Sequence, residues 1–233
     1  SILKADPSIK IVSVSNMDGW QAQCPPDDAL KNATGENTTG AANFHAVAAI
    51  AAAVFKQFPA VKIETLAYNS AFEPPQHLKF ADNVIVRVAG FIPGFVSLYH
   101  PYNAYILDAL QRWLKVAKTV FIWDGYPDND AWSMVPSYNY LANSLHIKEL
   151  AQLGVTGYFA EGWPNPGHDM VDLRVFLGGR MAFDPSLDAD KLLTEFTETY
   201  YGGGGGIHER RGLHQAHERL VRNVQSLGGL CWT

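Results

Sequence analysis

Five short apolar runs punctuate the chain: IKIVSVS (9–15), VKIETLAY (61–68), NVIVRVAG (83–90), TVFIW (119–123) and GVTGYFA (154–160). Each is rich in Val, Ile, Phe or Tyr and nearly apolar on both faces, the pattern of parallel strands covered on both sides. Segments with apolar positions three and four apart lie between them and predict helices over 41–58, 102–117 and 137–152, the first ended by Pro59. Two more helices are predicted over 169–181 and 188–200. Between the second and third runs stands only the Pro-rich EPPQHLKFAD, with room for a short helical turn at most. The opening SILKADPSIK reads as the end of a helix leading into a strand. With no initiator Met in front of it, a longer polypeptide is expected to precede this chain.

Strand and crossover alternate, so an α/β fold with right-handed connections is expected. Five βα units are fewer than the eight of a closed (β/α)8 barrel. The expectation is a TIM-barrel-like arrangement, the C-terminal five units of such a barrel over 1–201, with an open sheet as the alternative. Past Tyr201 comes GGGGG (202–206), then a charged, helical tail to residue 233. These glycines follow a helix where a phosphate loop needs a strand, and no Lys-Ser/Thr comes after them.

Composition narrows the function. Of 233 residues 47% are hydrophobic and 18% charged, which excludes a disordered chain. The net charge is −5 without a dense Lys/Arg run, so no nucleic-acid partner is expected. No apolar run reaches the roughly 18 residues of a membrane span. Cys24 and Cys231 are the two cysteines, too few for a disulfide scaffold or a multi-Cys zinc site. Two N-x-[ST] sequons, at Asn32 and Asn37, sit in a stretch read as a polar loop (KNATGENTTG) and favour an extracellular or periplasmic location.

In parallel α/β folds the carboxyl ends of the strands converge on the ligand site. There the chain places Asn16, Asp18 and Trp20 after the first run, Tyr68 after the second and Arg87 near the end of the third. The fourth ends in Trp123-Asp124 with Tyr126 beyond, and the fifth in Glu161 and Trp163. Paired carboxylates are what glycosidic cleavage requires, and aromatic rings offer flat apolar faces to a sugar. Arg87 suits either an acidic sugar or a carboxylate held in its charged form. Each residue also has a plainer reading: Asp-Gly pairs make turns, a Glu at a βα turn caps a helix, a strand Arg forms a structural ion pair, and tryptophans fill cores. His214 and His217 on one helical face read as a solvated surface rather than a zinc pair. No Gly-x-Ser-x-Gly elbow is present, and Cys24 has no identifiable base.

Six pieces occur in an order that resembles a known family. They are VSVSNMDG followed by a Cys, FPAVKIETLAY with a nearby Pro-Pro, DNVIVRV, VFIWDGY, LGVTGYFAEG, and LRVFLGGRMAFDPSLDADKLLTEFTETYYG. The chain is similar to uncharacterised α-glucuronidase-like barrel domains linked to carbohydrate degradation and catalogued as a domain of unknown function. The resemblance implies a TIM-barrel glycoside-hydrolase fold, a carbohydrate substrate, and Asn16, Asp18, Asp124 and the Glu161 region at the mouth. In the relatives Asn and Asp are adjacent, whereas Met17 separates them here, and the fifth-strand acid stands one position earlier, at Ala160.

The reading is thus a glycosidase with Asp18, Asp124 and Glu161 as catalytic carboxylates. Asn16, Trp20, Tyr68, Arg87, Trp123, Tyr126 and Trp163 would bind substrate, without a metal or cofactor. Its alternative is a non-catalytic carbohydrate-binding or scaffolding barrel remnant.

Overall fold

The computed structural model describes residues 2–17, 25–90, 92, 96–125, 140–161 and 170–202. Among them are seven α-helices: α1 Ile2–Ala5, α2 Pro25–Thr34, α3 Ala41–Gln57, α4 Ala104–Val116, α5 Tyr140–Leu153, α6 Val171–Phe183 and α7 Ala189–Tyr201. Five strands accompany them: β1 Ile11–Ser13, β2 Lys62–Ala67, β3 Val84–Ala89, β4 Thr119–Gly125 and β5 Gly157–Glu161. The strands form one curled, parallel half-barrel sheet in the order β1-β2-β3-β4-β5. Sequential order without reversal is the order of barrel strands; a doubly wound sheet would switch direction partway.

Three boundaries differ from the sequence pattern. β1 keeps only three residues of its run, because backbone pairing to β2 covers Ile11, Val12 and Ser13. β4 runs on through Asp124 to Gly125, so that acid belongs to the strand rather than to the turn after it. The stretch read as a polar loop begins inside α2: Asn32 lies in that helix, which opens on Pro25-Pro26, a favoured residue type for a first turn. The connection between β2 and β3 holds a single 3-10 turn, Asn69–Ala71.

The chain divides into two compact units. The first is Ser1–Gly90, Tyr105–Asp124 and Gly154–Phe159; the second is Phe91–Ala104, Gly125–Leu153 and Ala160–Thr233. In the first unit the two sheet faces differ. Val84, Val86, Val88, Val120 and Ile122 are wholly buried on one of them. A Cβ on Gly90, which continues that alternation, would meet Ile106 of α4, so this is the helix-covered face. Its core extends to Phe44 of α3 and Trp113 of α4, ring centroids 5.1 Å apart and edge-on, with Phe80 against both. The Trp113 indole N–H donates to the Phe72 carbonyl at 2.8 Å, so burying it leaves no orphan donor.

In the second unit α5, α6 and α7 pack mutually. Leu150 of α5, Leu173, Leu177 and Met181 of α6, and Leu192, Leu193 and Phe196 of α7 are buried. Asp188 caps α7, its carboxylate accepting from the Asp190 and Lys191 N–H groups.

Candidate functional site

The other face of the first unit's sheet carries polar and aromatic side chains. Register pairs Arg87 with Leu66 on one side and Phe121 on the other, and Ala89 with Trp123. Alternation adds Glu64 on β2, Ser13 on β1 opposite it, and Phe159 on β5. The sequence suggested strands nearly apolar on both faces; β2 and β3 are instead apolar, but for Thr65, on the helix side and place a complementary charge pair on the other.

Glu64 Oε1 lies 2.9 Å from Arg87 Nε, and Arg87 Nη2 donates to Glu64 Oε2 at 3.1 Å. The Nη2 bond is the aligned one; the Nε approach is a charge contact off the N–H line. The two side chains are 12% and 21% exposed. The guanidinium carbon stands 5.9 Å from the Phe121 ring and 5.4 Å from the Phe159 ring, within cation–π range of both. Trp123 meets Phe159 edge-on at 4.8 Å. Phe121 can lie against β5 because residue 157 is Gly: a Cβ there would sit 2.3 Å from the ring. Phe159 is 41% exposed, so the aromatic end of this row reaches solvent.

Asp124 stands elsewhere. It follows Ile122 on the helix-covered side of β4, is 2% exposed, and accepts the Tyr158 hydroxyl at 3.0 Å. Trp123 and Asp124, neighbours in sequence, therefore serve opposite faces. Tyr68 follows β2 with extended backbone and is half-buried. Asn16 is half-buried, and its amide has no hydrogen-bond partner among the described residues. Glu161 closes β5 as a half-buried residue of the second unit. Asp18, Trp20, Tyr126 and Trp163 lie outside the described residues, as do Cys24, Cys231, His214 and His217.

Two polar clusters escaped the sequence reading besides Glu64. In the first unit Glu36 is 2% exposed and accepts from the backbone N–H groups of Gln76, His77 and Leu78. Burial alone would raise its pKa; the three N–H donors outweigh it and hold the carboxyl below its ordinary value. In the second unit Glu149 accepts from Ser97 Oγ at 2.6 Å and Leu98 N at 2.7 Å, while His146 Nε2 bonds the Val96 carbonyl. Isolated polar residues in a helix or a turn give no sequence signal of such long reaches. Glu64 does leave one: an acid in one central strand and a base in the next.

A cleft of about 520 Å³ in the first unit is lined by Glu73, Lys79, Arg112 and Lys115 among others. Its charges are largely spoken for: Arg112 divides between Glu73 and Asp108, and the Lys79 ammonium donates to the Lys115 carbonyl. Among the described residues no group of three or more His, Cys, Asp or Glu is placed to hold a metal ion, and no helix is long and apolar enough to cross a membrane.

Comparison with curated proteins and with solved structures finds no match in either. A family model, "Domain of unknown function (DUF4838)", matches residues 1–211. That span takes in every described strand and helix, and the chain belongs to this domain family of unknown function.

Proposed function

We propose that this chain is a carbohydrate-binding domain on a partial (β/α) barrel of the glycoside-hydrolase type, with the sugar held on the polar face of the first unit's sheet. One observation carries the reading: a charge-compensated Arg87 flanked by Phe121 and Phe159, with Trp123 beside them on the same face. Sugars present flat C–H surfaces bordered by hydroxyls, and rings beside a fixed donor set match both features. The resemblance to α-glucuronidase-like barrels supports the substrate class independently of this geometry.

The test is direct binding, by calorimetry or affinity electrophoresis, to a panel of plant and bacterial oligosaccharides. Trp123→Ala or Phe159→Ala is expected to weaken binding about tenfold, roughly 1.4 kcal/mol. Unchanged affinity in both variants would end this reading.

A second reading is hydrolysis, with Asp124 as one carboxylate and Asp18 or Glu161 as the proton donor. Its support is the position of Asp124 at the carboxyl end of β4, where barrel enzymes keep their catalytic groups. Against it, Asp124 is 2% exposed on the helix-covered side of β4, where it accepts the Tyr158 hydroxyl, away from the aromatic row. Turnover of any bound oligosaccharide, abolished by Asp124→Asn, would favour hydrolysis.

A further inference from the structure

We infer that the sugar taken by this face is uncharged, and that Glu64 is the residue that excludes acidic sugars. The inference rests on the carbohydrate reading above and deepens it. A lone strand arginine beside aromatic rings would be a natural partner for a uronate, since its planar fork takes a carboxylate in two parallel bonds. Arg87 already has that carboxylate. Glu64 approaches its Nε and Nη2 edge at 2.9 and 3.1 Å, and both side chains are mostly buried.

A second anion at this guanidinium would lie close to Glu64 and would itself lose solvation. Like charges a few ångströms apart at a partly buried site repel strongly, because screening by water is reduced there. Phe121 and Phe159, 5.9 and 5.4 Å from the guanidinium carbon, bring no further positive charge to the row. On the β1 side of this face the Ser13 and Ser15 hydroxyls stand 3.1 Å apart, neutral groups that suit a sugar hydroxyl. Lys62, at the amino end of β2, turns its ammonium to the Asp82 carbonyl. What the pair leaves available is the Nη1 end of Arg87, whose N–H groups suit a hydroxyl or ring oxygen. Fixed donors of a compensated charge, hydroxyls and apolar rings together describe a neutral pyranose surface.

The experiment compares neutral xylo- and galacto-oligosaccharides with oligogalacturonides of matched length, by calorimetry on the full chain. The expected result is that the native chain binds a neutral ligand and binds the uronate at least about tenfold more weakly. Glu64→Gln leaves Arg87 uncompensated, so the preference should shift toward uronate by about tenfold or more. That new binding should fall as salt is raised from 50 to 500 mM, whereas neutral binding should not. If Glu64→Gln does not fold, the native preference and its salt dependence decide alone. Tighter uronate than neutral binding by the native chain, or an unchanged preference in a folded Glu64→Gln, overturns the inference while leaving carbohydrate binding intact. Binding to neither class overturns the carbohydrate reading, and the inference with it.

Discussion

The Tyr158 hydroxyl donates to Asp124 Oδ2 at 3.0 Å, joining β5 to β4 on the face away from the Arg87–Glu64 pair. Asp124 is 2% exposed, so its carboxylate depends on protein donors rather than water. Asp124→Ala removes an acceptor of that half-buried hydroxyl and is expected to cost about 1–3 kcal/mol in chemical denaturation. Asp124→Asn preserves the shape and an acceptor and should cost less. In both, oligosaccharide affinity should stay within about twofold of native. A variant of native stability that no longer binds would instead put Asp124 in the ligand site.

This residue also marks how far the sequence could be read. Short runs rich in Val, Ile, Phe and Tyr located all five strands; in β3 and β4 burial on the helix side requires apolar residues at 84, 86, 88, 120 and 122. The opposite face was harder. Glu64 and Arg87 interrupt their runs singly, and nothing local says that one faces the other. Strand parity separates Trp123 from Asp124, but only the point where β4 stops decides whether Asp124 obeys it. An Asp-Gly pair signals a turn, and here pairing continues through it to Gly125. Helix α2 was hidden for a related reason: Asn, Thr and Gly near its end look like loop, and its first turn is read from Pro25-Pro26 alone.

Gly157 is the residue on which the aromatic row depends. A Cβ there would approach three Phe121 ring atoms at 2.3, 2.4 and 2.6 Å, contacts that real side chains do not make. Gly157→Ala must push the ring aside, an overpacking cost of about 1–3 kcal/mol. The displaced ring lies beside Arg87, so ligand affinity should fall along with stability. Phe121→Leu in the same chain should restore part of the stability, making the pair non-additive in a double-mutant cycle. Strict additivity would mean that the ring is not the obstacle.

Glu36 ties the segment after Pro75 to the loop before α3 through three backbone N–H donors. Glu36→Ala takes the acceptor from those three part-buried N–H groups, a loss of about 1–3 kcal/mol. Because the folded carboxyl titrates below its ordinary value, its contribution is complete above the unfolded value near 4.3. It is lost as pH falls through the lower folded value. Thermal melts from pH 6 to pH 3 should show stability declining at the acid end. In Glu36→Gln that decline should be shallower; an equally steep one would assign it to other carboxyls.

His146 sets a second pH dependence, nearer neutrality and confined to one segment. Its ring is fully buried on α5; Nε2 carries the hydrogen bonded to the Val96 carbonyl, and Nδ1 has no partner among the described residues. Burial pushes its pKa below the ordinary histidine value, and the Val96 bond and the nearby Glu149 carboxylate oppose that only in part. The folded chain thus favours the neutral ring. Stability from this site is complete above about pH 6.5 and falls as pH drops toward the folded value. Protonation at Nδ1 would place a cation in a dry site beside the Glu149 clamp that holds Ser97 and Leu98. The first consequence should be local opening of residues 96–103, where Tyr99 and Tyr102 are exposed, before any global unfolding. Hydrogen exchange should show amides of this segment losing several-fold protection between pH 7 and pH 5, after correction for intrinsic rates. In His146→Gln the difference should vanish, with protection lower at both values; equal protection of the native segment at both pH values would remove His146 from that role.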